Sequence, residues 1–280
     1  MYKLSVLLLF VLTIISAGVF AQTCPYDQTP RLASATHYSS YTLGGGCSFG
    51  TPWSSTGPHT AYIAALSEVW YNNGTHCGNC LEVSNGNKSV TVIIQDMCPI
   101  EGNPICKNDY HLDLSPEAFA VLGNVNDGVL YNLTWREVTC DNIYPETVQV
   151  QITKGSSLTW ASLLVFGYKI GIKQVQIQLA NSTTFTSTTR YSYNNFIGIS
   201  QQELFKYPFT VKIISDLGES IEVTIPELEV EKIYDTKQQF GTGDCIGSDL
   251  ILSVNHASSS LPIISIFSLL LLSIFTILIL

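Results

Sequence analysis

The chain has 280 residues, a net charge of −9 and only 12% charged residues. It contains no run of basic residues, so nucleic acid is not an expected partner. Between two apolar ends lie about 235 residues, which is enough for two ordinary domains. These numbers describe a weakly charged, acidic chain of two domains between two hydrophobic segments.

The amino-terminal segment, residues 1–22, is typical of a secretory signal peptide. A single lysine, Lys3, precedes an apolar run over residues 4–20, and small residues follow around Ala21. A transmembrane anchor is the alternative, but the run is short and the cysteines begin directly after it. Cleavage near Ala21 would start the mature chain close to Gln22.

The carboxy-terminal segment, residues 261–280, has no charged residue. About twenty apolar residues can span a bilayer, but no Lys or Arg follows to hold a cytoplasmic end. Because small residues precede the run at 257–260, we interpret it as a GPI-anchor signal, with a single-pass type I helix as the alternative. Residues 249–260 would be a linker. Either way, the folded part would face outward at the plasma membrane or extracellular matrix.

Cysteine usage also predicts an extracellular protein. The eight cysteines are Cys24, Cys47, Cys77, Cys80, Cys98, Cys106, Cys140 and Cys245. An even number behind a signal peptide predicts disulfides whose pairing stays open, and bridges are favoured over zinc at Cys77 and Cys80. No metal or cofactor is expected. Four N-glycosylation sequons, predicted to be exposed, stand at Asn73, Asn87, Asn132 and Asn181.

The second domain is predicted as residues 144–248. Apolar residues alternate with polar ones at 148–152, 175–179, 209–213 and 221–225. Period-two alternation between turn-rich stretches predicts an antiparallel β-sandwich.

The first domain, residues 23–143, is predicted to mix strands and short helices. Apolar spacing predicts a helix over residues 60–71, and strands are predicted at 81–83 and 90–94. Ser115 and Pro116 predict a second helix start, which Gly123 would end.

Two aspartates, Asp96 and Asp113, are placed at the ends of predicted elements. Paired carboxylates across a sugar bond are the machinery of glycosidases, one as acid and the other as base or nucleophile. The alternative is that both side chains accept hydrogen bonds from turn backbones. The many Tyr, Asn, Ser and Thr residues favour a neutral, hydroxyl-rich ligand such as a polysaccharide.

Several ordered motifs resemble the expansin family. They are ATHY at 35–38, GGGCSFG at 44–50, NNGTHCGNC at 72–80, DMCP at 96–99, HLDLSPEAF at 111–119, GSS at 155–157, Trp160 and YNNF at 193–196. The resemblance covers nearly all of residues 24–247, and the segment at 111–119 is its most specific part.

The resemblance implies a six-stranded double-psi β-barrel with short helices followed by an immunoglobulin-like β-sandwich. It also implies binding of cellulose or a related β-glucan without appreciable hydrolysis, because expansins lack the catalytic base of a related cellulase family. Asp113 matches the remaining acid, whereas Asp96 does not match the missing base. Asp96 and Thr36 would line the same groove and bond the glucan, so no catalytic residue is assigned.

In the second domain the resemblance implies a linear aromatic platform, of which Trp160 and Tyr193 match two members. Thr159 stands where a further aromatic is often found, so Tyr191 or Phe196 would have to join the platform. Ser48 replaces a glycine of the family's loop, and Cys98 stands where some relatives carry a groove tyrosine.

Three functions follow as hypotheses. The first is loosening of a cellulose matrix without hydrolysis, by a protein expected to be a monomer. The second is a passive cellulose-binding tether or coat protein, which the membrane tail favours. The third is a weak endoglucanase, in which Asp113 would act with Glu101 or Asp109 as base.

Overall fold

A computed structural model describes residues 23–38, 45–141, 143–144, 147–197, 207–243 and 245. The predicted signal peptide (1–22), linker (249–260) and apolar tail (261–280) lie outside the described residues. None of the helices in the described ranges is long and apolar enough to cross a membrane.

Six strands of the amino-terminal half form a closed barrel. They are β1 (Arg31–His37), β2 (Ile63–Ser67), β3 (Cys80–Ser84), β4 (Ser89–Cys98), β5 (Leu112–Leu114) and β6 (Leu130–Val138). The order around the barrel is β1-β5-β2-β4-β3-β6, with β1–β5 and β2–β4 parallel. Closure leaves no edge strand to pair with another chain. The predicted six-stranded barrel is confirmed.

Two short helices accompany the barrel, α1 (Glu68–Tyr71) and α2 (Pro116–Leu122). α2 begins and ends as the sequence predicts: the Ser115 hydroxyl accepts from the Ala118 amide, and Gly123 follows its last residue. Three short 3₁₀ turns lie at Asn72–Gly74, Pro104–Lys107 and Val125–Asp127.

The helix predicted over residues 60–71 is wrong for most of its length. Ile63–Ser67 is strand β2, and all five of its residues are buried between β4 and β5. A strand covered on both faces has a continuous apolar run instead of an alternation, so its pattern resembles that of a buried helix. The strands predicted at 81–83 and 90–94 are confirmed as β3 and β4.

In the described residues, nine strands follow the barrel. They are β7 (Gln149–Ile152), β8 (Ser162–Phe166), β9 (Ile172–Gln178), β10 (Thr186–Ser187), β11 (Thr189–Arg190), β12 (Phe196–Ile197), β13 (Phe209–Ser215), β14 (Ser220–Ile225) and β15 (Ile233–Asp235). The four segments predicted from alternation lie on β7, β9, β13 and β14. The nine strands make two antiparallel sheets, ordered β10-β9-β13-β14 and β11-β12-β8-β7-β15, whose buried residues share one core. The proposed domain boundary at residue 143 falls between β6 and β7.

All eight cysteines are paired, which confirms the predicted disulfides and assigns their partners. The bridges are Cys24–Cys245, Cys47–Cys77, Cys80–Cys140 and Cys98–Cys106. In the described part of the chain, the one cluster with metal-ligand spacing is Cys98, Cys106 and His111, and its two sulfurs are already used in a bridge. Barrel and sheets together form one compact unit.

Candidate polysaccharide site

Thr36 and Asp113 lie side by side because their strands are parallel neighbours in the barrel. β1 pairs with β5 in a register that sets Thr36 against Asp113. The Thr36 hydroxyl donates a hydrogen bond of 2.8 Å to Asp113 Oδ1. Two residues that the resemblance assigns to one groove are therefore in direct contact.

A buried histidine extends this pair into a chain of hydrogen bonds. His111 Nδ1 lies 2.9 Å from Ser34 Oγ, and its Nε2 lies 3.0 Å from Thr36 Oγ1. Because the Thr36 proton goes to Asp113, the Thr36 oxygen accepts from Nε2–H, and Nδ1 accepts from Ser34. Burial lowers the pKa of His111 to about 4, which keeps the ring neutral at ordinary pH. This neutral tautomer fixes the Thr36 hydroxyl toward the carboxylate.

Asp113 takes up a proton more readily than an ordinary aspartate. Burial raises the pKa of this carboxyl, the Thr36 hydrogen bond and His37 oppose the shift, and Asp96 adds to it. Removal from water disfavours the charged form, and a second carboxylate nearby disfavours it further. Asp113 thus has the raised pKa that suits a proton-donating group.

Asp96 has a different environment, because one of its oxygens is occupied by the backbone. The sequence places it after a strand, but β4 continues through it to Cys98. Its Oδ1 accepts from the amides of Gly46 at 2.6 Å and Met97 at 2.8 Å. Asp96 therefore holds the glycine-rich loop against the barrel.

The glycine-rich loop keeps its tight shape although serine replaces one glycine. A Cβ at Gly45 would lie 2.4 Å from the carbonyl oxygen of Gln95, so no side chain fits there. Ser48 itself adopts the left-handed conformation, with φ of 61°. Its hydroxyl donates to the carbonyl of Tyr193 at 2.8 Å, which ties the loop to the second half of the molecule.

A cavity of about 610 Å³ opens beside Asp96. Its walls come from the barrel side and from the turn between β11 and β12, and they comprise Gly46, Glu68, Tyr71, Asn73, Asp96, Met97, Pro99, Ser192 and Tyr193. Of the predicted groove residues, Asp96 lines this cavity together with Tyr193 of the following turn, whereas Thr36 and Asp113 are not among its walls.

Tyr71 is a wall residue of this cavity that the sequence did not single out. Its hydroxyl donates to the carbonyl of Gly46 and contacts the carbonyl of Ser192. Burial, and then the charge of Asp96, raises the pKa of Tyr71 to about 12, so it stays a neutral donor. Nothing in the local pattern at Tyr71 distinguishes it from a helix core residue, because its role depends on partners 25 and 121 positions away.

The aromatic residues proposed for the platform divide into exposed and buried ones. Trp160, Tyr191 and Tyr193 are 37%, 45% and 42% exposed, and the two tyrosine rings lie 5.7 Å apart, tilted by 34°. Phe196 is only 2% exposed and packs in the core, so it is not a platform residue. Of these two further candidates, Tyr191 is therefore the exposed ring beside Tyr193.

Trp160 and the tyrosine pair lie toward opposite ends of β8. β12 pairs with β8 so that Phe196 is opposite Leu163. Trp160 precedes β8, whereas the turn that carries both tyrosines extends past Leu163 toward the end of that strand. At about 3.3 Å per residue, this spacing spreads the aromatics over roughly 15–20 Å along the direction of β8.

The turn between β11 and β12 is held against the barrel by polar contacts. The Arg190 guanidinium donates to the carbonyls of Gly74 at 3.0 Å and Thr75 at 2.9 Å. The Asn194 amide donates to the carbonyl of Cys47 at 3.3 Å. These bonds fix the aromatic pair relative to the cavity.

The four sequons and the two alternative bases are on the surface. Asn73, Asn87, Asn132 and Asn181 are all exposed, as the sequence predicts. Glu101 and Asp109 are also exposed, and Asp109 lines a separate cavity of about 550 Å³ with Tyr110 and Tyr131.

Two protein-family models together match most of this chain. Residues 1–135 match the model of the expansin N-terminal domain, and residues 135–241 match that of the expansin-like protein middle domain. Expansin-like protein 5 of Dictyostelium discoideum is 41% identical over 84% of this chain and 97% of its own length. Expansin-like protein 1 of the same organism is 36% identical over 86% and 82%.

A solved structure also matches. A mutant of the Clavibacter michiganensis expansin, in complex with cellohexaose, superposes with a TM-score of 0.62 at 27% identity. The match covers 75% of this chain and 98% of that one. The apo form of the same expansin matches equally well.

Proposed function

Since this chain belongs to the expansin family, we propose that it binds cellulose or a related β-glucan and loosens an extracellular cellulose matrix without hydrolysing it. The observation that carries the proposal is the division of labour between the two aspartates. Asp113 is a half-buried acid held by Thr36, whereas Asp96 Oδ1 is held by two backbone amides.

This division argues against an acid and base pair. Glycoside hydrolysis requires two carboxyl groups that flank one bond, one to protonate the leaving oxygen and one to activate water or attack the sugar. Asp113 suits the first role. Asp96 shapes the glycine-rich loop, and its remaining oxygen is a hydrogen-bond acceptor for a glucan hydroxyl.

The exposed aromatics supply the second part of the proposed function. The faces of glucose rings carry C–H groups and are apolar, so they stack on flat aromatic side chains. Burial of that surface contributes about 25 cal/mol per Å². Trp160, Tyr191 and Tyr193 would hold one glucan chain along the direction of β8 while the groove exchanges hydrogen bonds with it.

A second candidate is a passive tether that binds cellulose without loosening it. The apolar segment at residues 261–280 favours this function, because a membrane-held protein cannot diffuse through a wall. In both cases we infer a monomer outside the cell, held to the membrane by this predicted tail and acting without cofactor or metal.

Three assays on pure cellulose with the secreted protein separate these functions. We expect binding in a pull-down, no release of reducing sugar, and increased creep of a loaded cellulose sheet. Binding without creep would instead support the tether. Sugar release that disappears in Asp113→Asn would overturn the proposal in favour of an endoglucanase.

A further inference from the structure

One sequon lies on the wall of the candidate glucan cavity. Asn73 begins the sequence Asn-Gly-Thr, is exposed, and lines the 610 Å³ cavity together with Tyr71, Asp96 and Tyr193. It has φ of 53° and lies in the 3₁₀ turn that follows α1. A group attached to its side chain would start at the cavity itself.

The other three sequons have different surroundings. Asn87 lies in the turn between β3 and β4, where its backbone N–H donates to Asn85 Oδ1, and Asn181 lies in a turn beyond β9. Asn132 lines the separate 550 Å³ cavity. Among the four, only Asn73 lines the cavity that contains Asp96.

The attachment chemistry is that of ordinary N-glycosylation. Asn73 Nδ2 forms a bond to the anomeric carbon of a lipid-linked oligosaccharide pyrophosphate. The anomeric carbon–oxygen bond to the pyrophosphate breaks, and the amide loses one proton as the lipid pyrophosphate leaves. The modification takes place on the secretory route that a signal peptide would open.

The core of such a glycan has the linkage of the proposed ligand. Its first two sugars are N-acetylglucosamines joined β-1,4, as the glucoses of cellulose are joined. Tyr193 offers a ring face for stacking, and Tyr71 and Asp96 offer polar groups. A covalently attached ligand reaches an effective concentration of about millimolar, which favours occupancy even at low intrinsic affinity.

We propose that Asn73 carries an N-linked glycan whose first two sugars occupy the cavity beside Asp96 and compete there with β-glucan. This inference rests on the proposed glucan binding of the cavity. A glycan that fills the cavity about nine-tenths of the time would lower the apparent affinity for glucan about tenfold. The protein would then be secreted in a restrained form that removal of the glycan activates.

The test uses the full chain secreted from a host that glycosylates. Thr75→Ala removes the sequon without touching a wall of this cavity, and Thr75→Ser keeps both the sequon and the hydroxyl that donates to Asn72. We expect peptide mass mapping to find Asn73 occupied in wild type and in Thr75→Ser. Thr75→Ala should bind soluble cellohexaose about tenfold more tightly than both. Asn87→Gln, which removes a glycan from a hairpin turn, should bind as wild type does.

A second measurement does not depend on glucan binding. An endoglycosidase that cuts between the first two sugars should release the Asn73 glycan from native protein about tenfold more slowly than the Asn87 glycan. Tyr193→Ala should abolish this protection.

An unoccupied Asn73, or equal release rates at the two sites, overturns the inference. Equal cellohexaose affinity of Thr75→Ala and Thr75→Ser overturns it as well, while leaving the proposed function intact. Protection of the Asn73 glycan in a protein that binds no glucan in any variant would overturn the proposed function instead.

Discussion

The barrel groove and the turn between β11 and β12 present opposite kinds of surface. The groove contains a chain of directed hydrogen bonds from Ser34 through His111 and Thr36 to Asp113, in which His111 is buried and the other three residues are half-buried. The turn presents Tyr191 and Tyr193 with nearly half of their surface in solvent. Hydrogen-bond chains discriminate between hydroxyl positions, whereas stacking tolerates sliding along a glucan.

Under the proposed function, this contrast would let one protein hold a polysaccharide and still move along it. Stacking supplies affinity that is almost independent of register, because every glucose presents the same apolar face. The groove would then act on whichever hydroxyls come within reach of Asp113 and the second carboxylate oxygen of Asp96. Four experiments test whether the two regions are distinct in this way.

The largest effect should come from the bridge that both regions share. Cys47 and Cys77 accept hydrogen bonds at their carbonyls from Asn194 and Tyr168. Replacing both cysteines by serine opens a loop with a sequence separation of 30. The chain-entropy relation gives a loss of about 3–4 kcal/mol in the free energy of unfolding. Urea denaturation measures the loss, and a cellulose pull-down should show weakened binding.

The matched control for this experiment is the Cys98–Cys106 bridge, with a sequence separation of 8. Its removal should cost less, about 2–3 kcal/mol, and leave cellulose binding through the aromatics unchanged. Unaltered binding after loss of Cys47–Cys77 would show that the bridge does not position the turn.

The second-largest effect is a loss of folding stability that should be confined to the barrel. Thr36→Val keeps the shape of the side chain but leaves His111 Nε2–H without an acceptor and Asp113 without its donor. An unsatisfied buried polar group costs about 1–3 kcal/mol, which urea denaturation would detect. Thr36→Ser keeps the hydroxyl and should cost clearly less. Equal stability of the two variants would contradict the hydrogen-bond chain.

A smaller effect should be confined to the aromatics. Trp160→Ala and Tyr193→Ala should each weaken binding to insoluble cellulose by about 1–2 kcal/mol, because each removes stacking area. Neither should change the urea midpoint appreciably, since both rings are exposed. Tyr62→Ala, an exposed aromatic of the barrel, serves as control. If both variants bound cellulose with wild-type affinity, Trp160 and Tyr193 would not be part of a cellulose-binding platform.

The smallest effect concerns the charge of Asp113. Its folded-state pKa lies above the ordinary value of 3.8, so its stability contribution is present at low pH and lost as pH rises through the folded pKa. Asp113→Asn does not titrate and keeps an acceptor for Thr36. Its melting temperature relative to wild type should therefore rise between about pH 4 and neutrality.

The contribution of His111 to the pH dependence of stability has the opposite sign. His111 has a folded pKa of about 4, below its ordinary 6.5, so stability is lost as pH falls from 6.5 toward 4. Both proteins share this loss, and it cancels in their difference. A difference in melting temperature that is flat with pH would contradict a raised pKa of Asp113.

Local sequence patterns predicted the elements whose structure depends mainly on residues close by in the sequence. The alternation at 209–213 and 221–225 gave β13 and β14, and Ser115 with Gly123 bounded α2. The pattern failed at β2, because a strand buried on both faces has no alternation. It also missed Tyr71, whose partners come from a distant loop and a distant turn. Cysteine pairing could not be read from spacing, since Cys24 joins a residue 221 positions away.

Packing buries one of the residues that the family motifs offered for the platform. Phe196 was a candidate for the platform, and its ring instead lies in the core, 4.6 Å from the Arg190 guanidinium. Ser34 had no sequence signal, because only the closure of β1 against β5 brings it to His111. Site residues that depend on strand register are therefore the ones that sequence motifs leave out.

The Cys24–Cys245 bridge has a mechanical consequence. It joins the chain just before β1 to the chain after β15. A tensile load applied to the segment beyond Cys245 enters the covalent link and passes directly to the start of the barrel. The 221 positions between the two sulfurs then cannot be drawn out as a thread while the bridge is intact. Pulling on the two ends of the folded part therefore loads this bridge before it loads any strand.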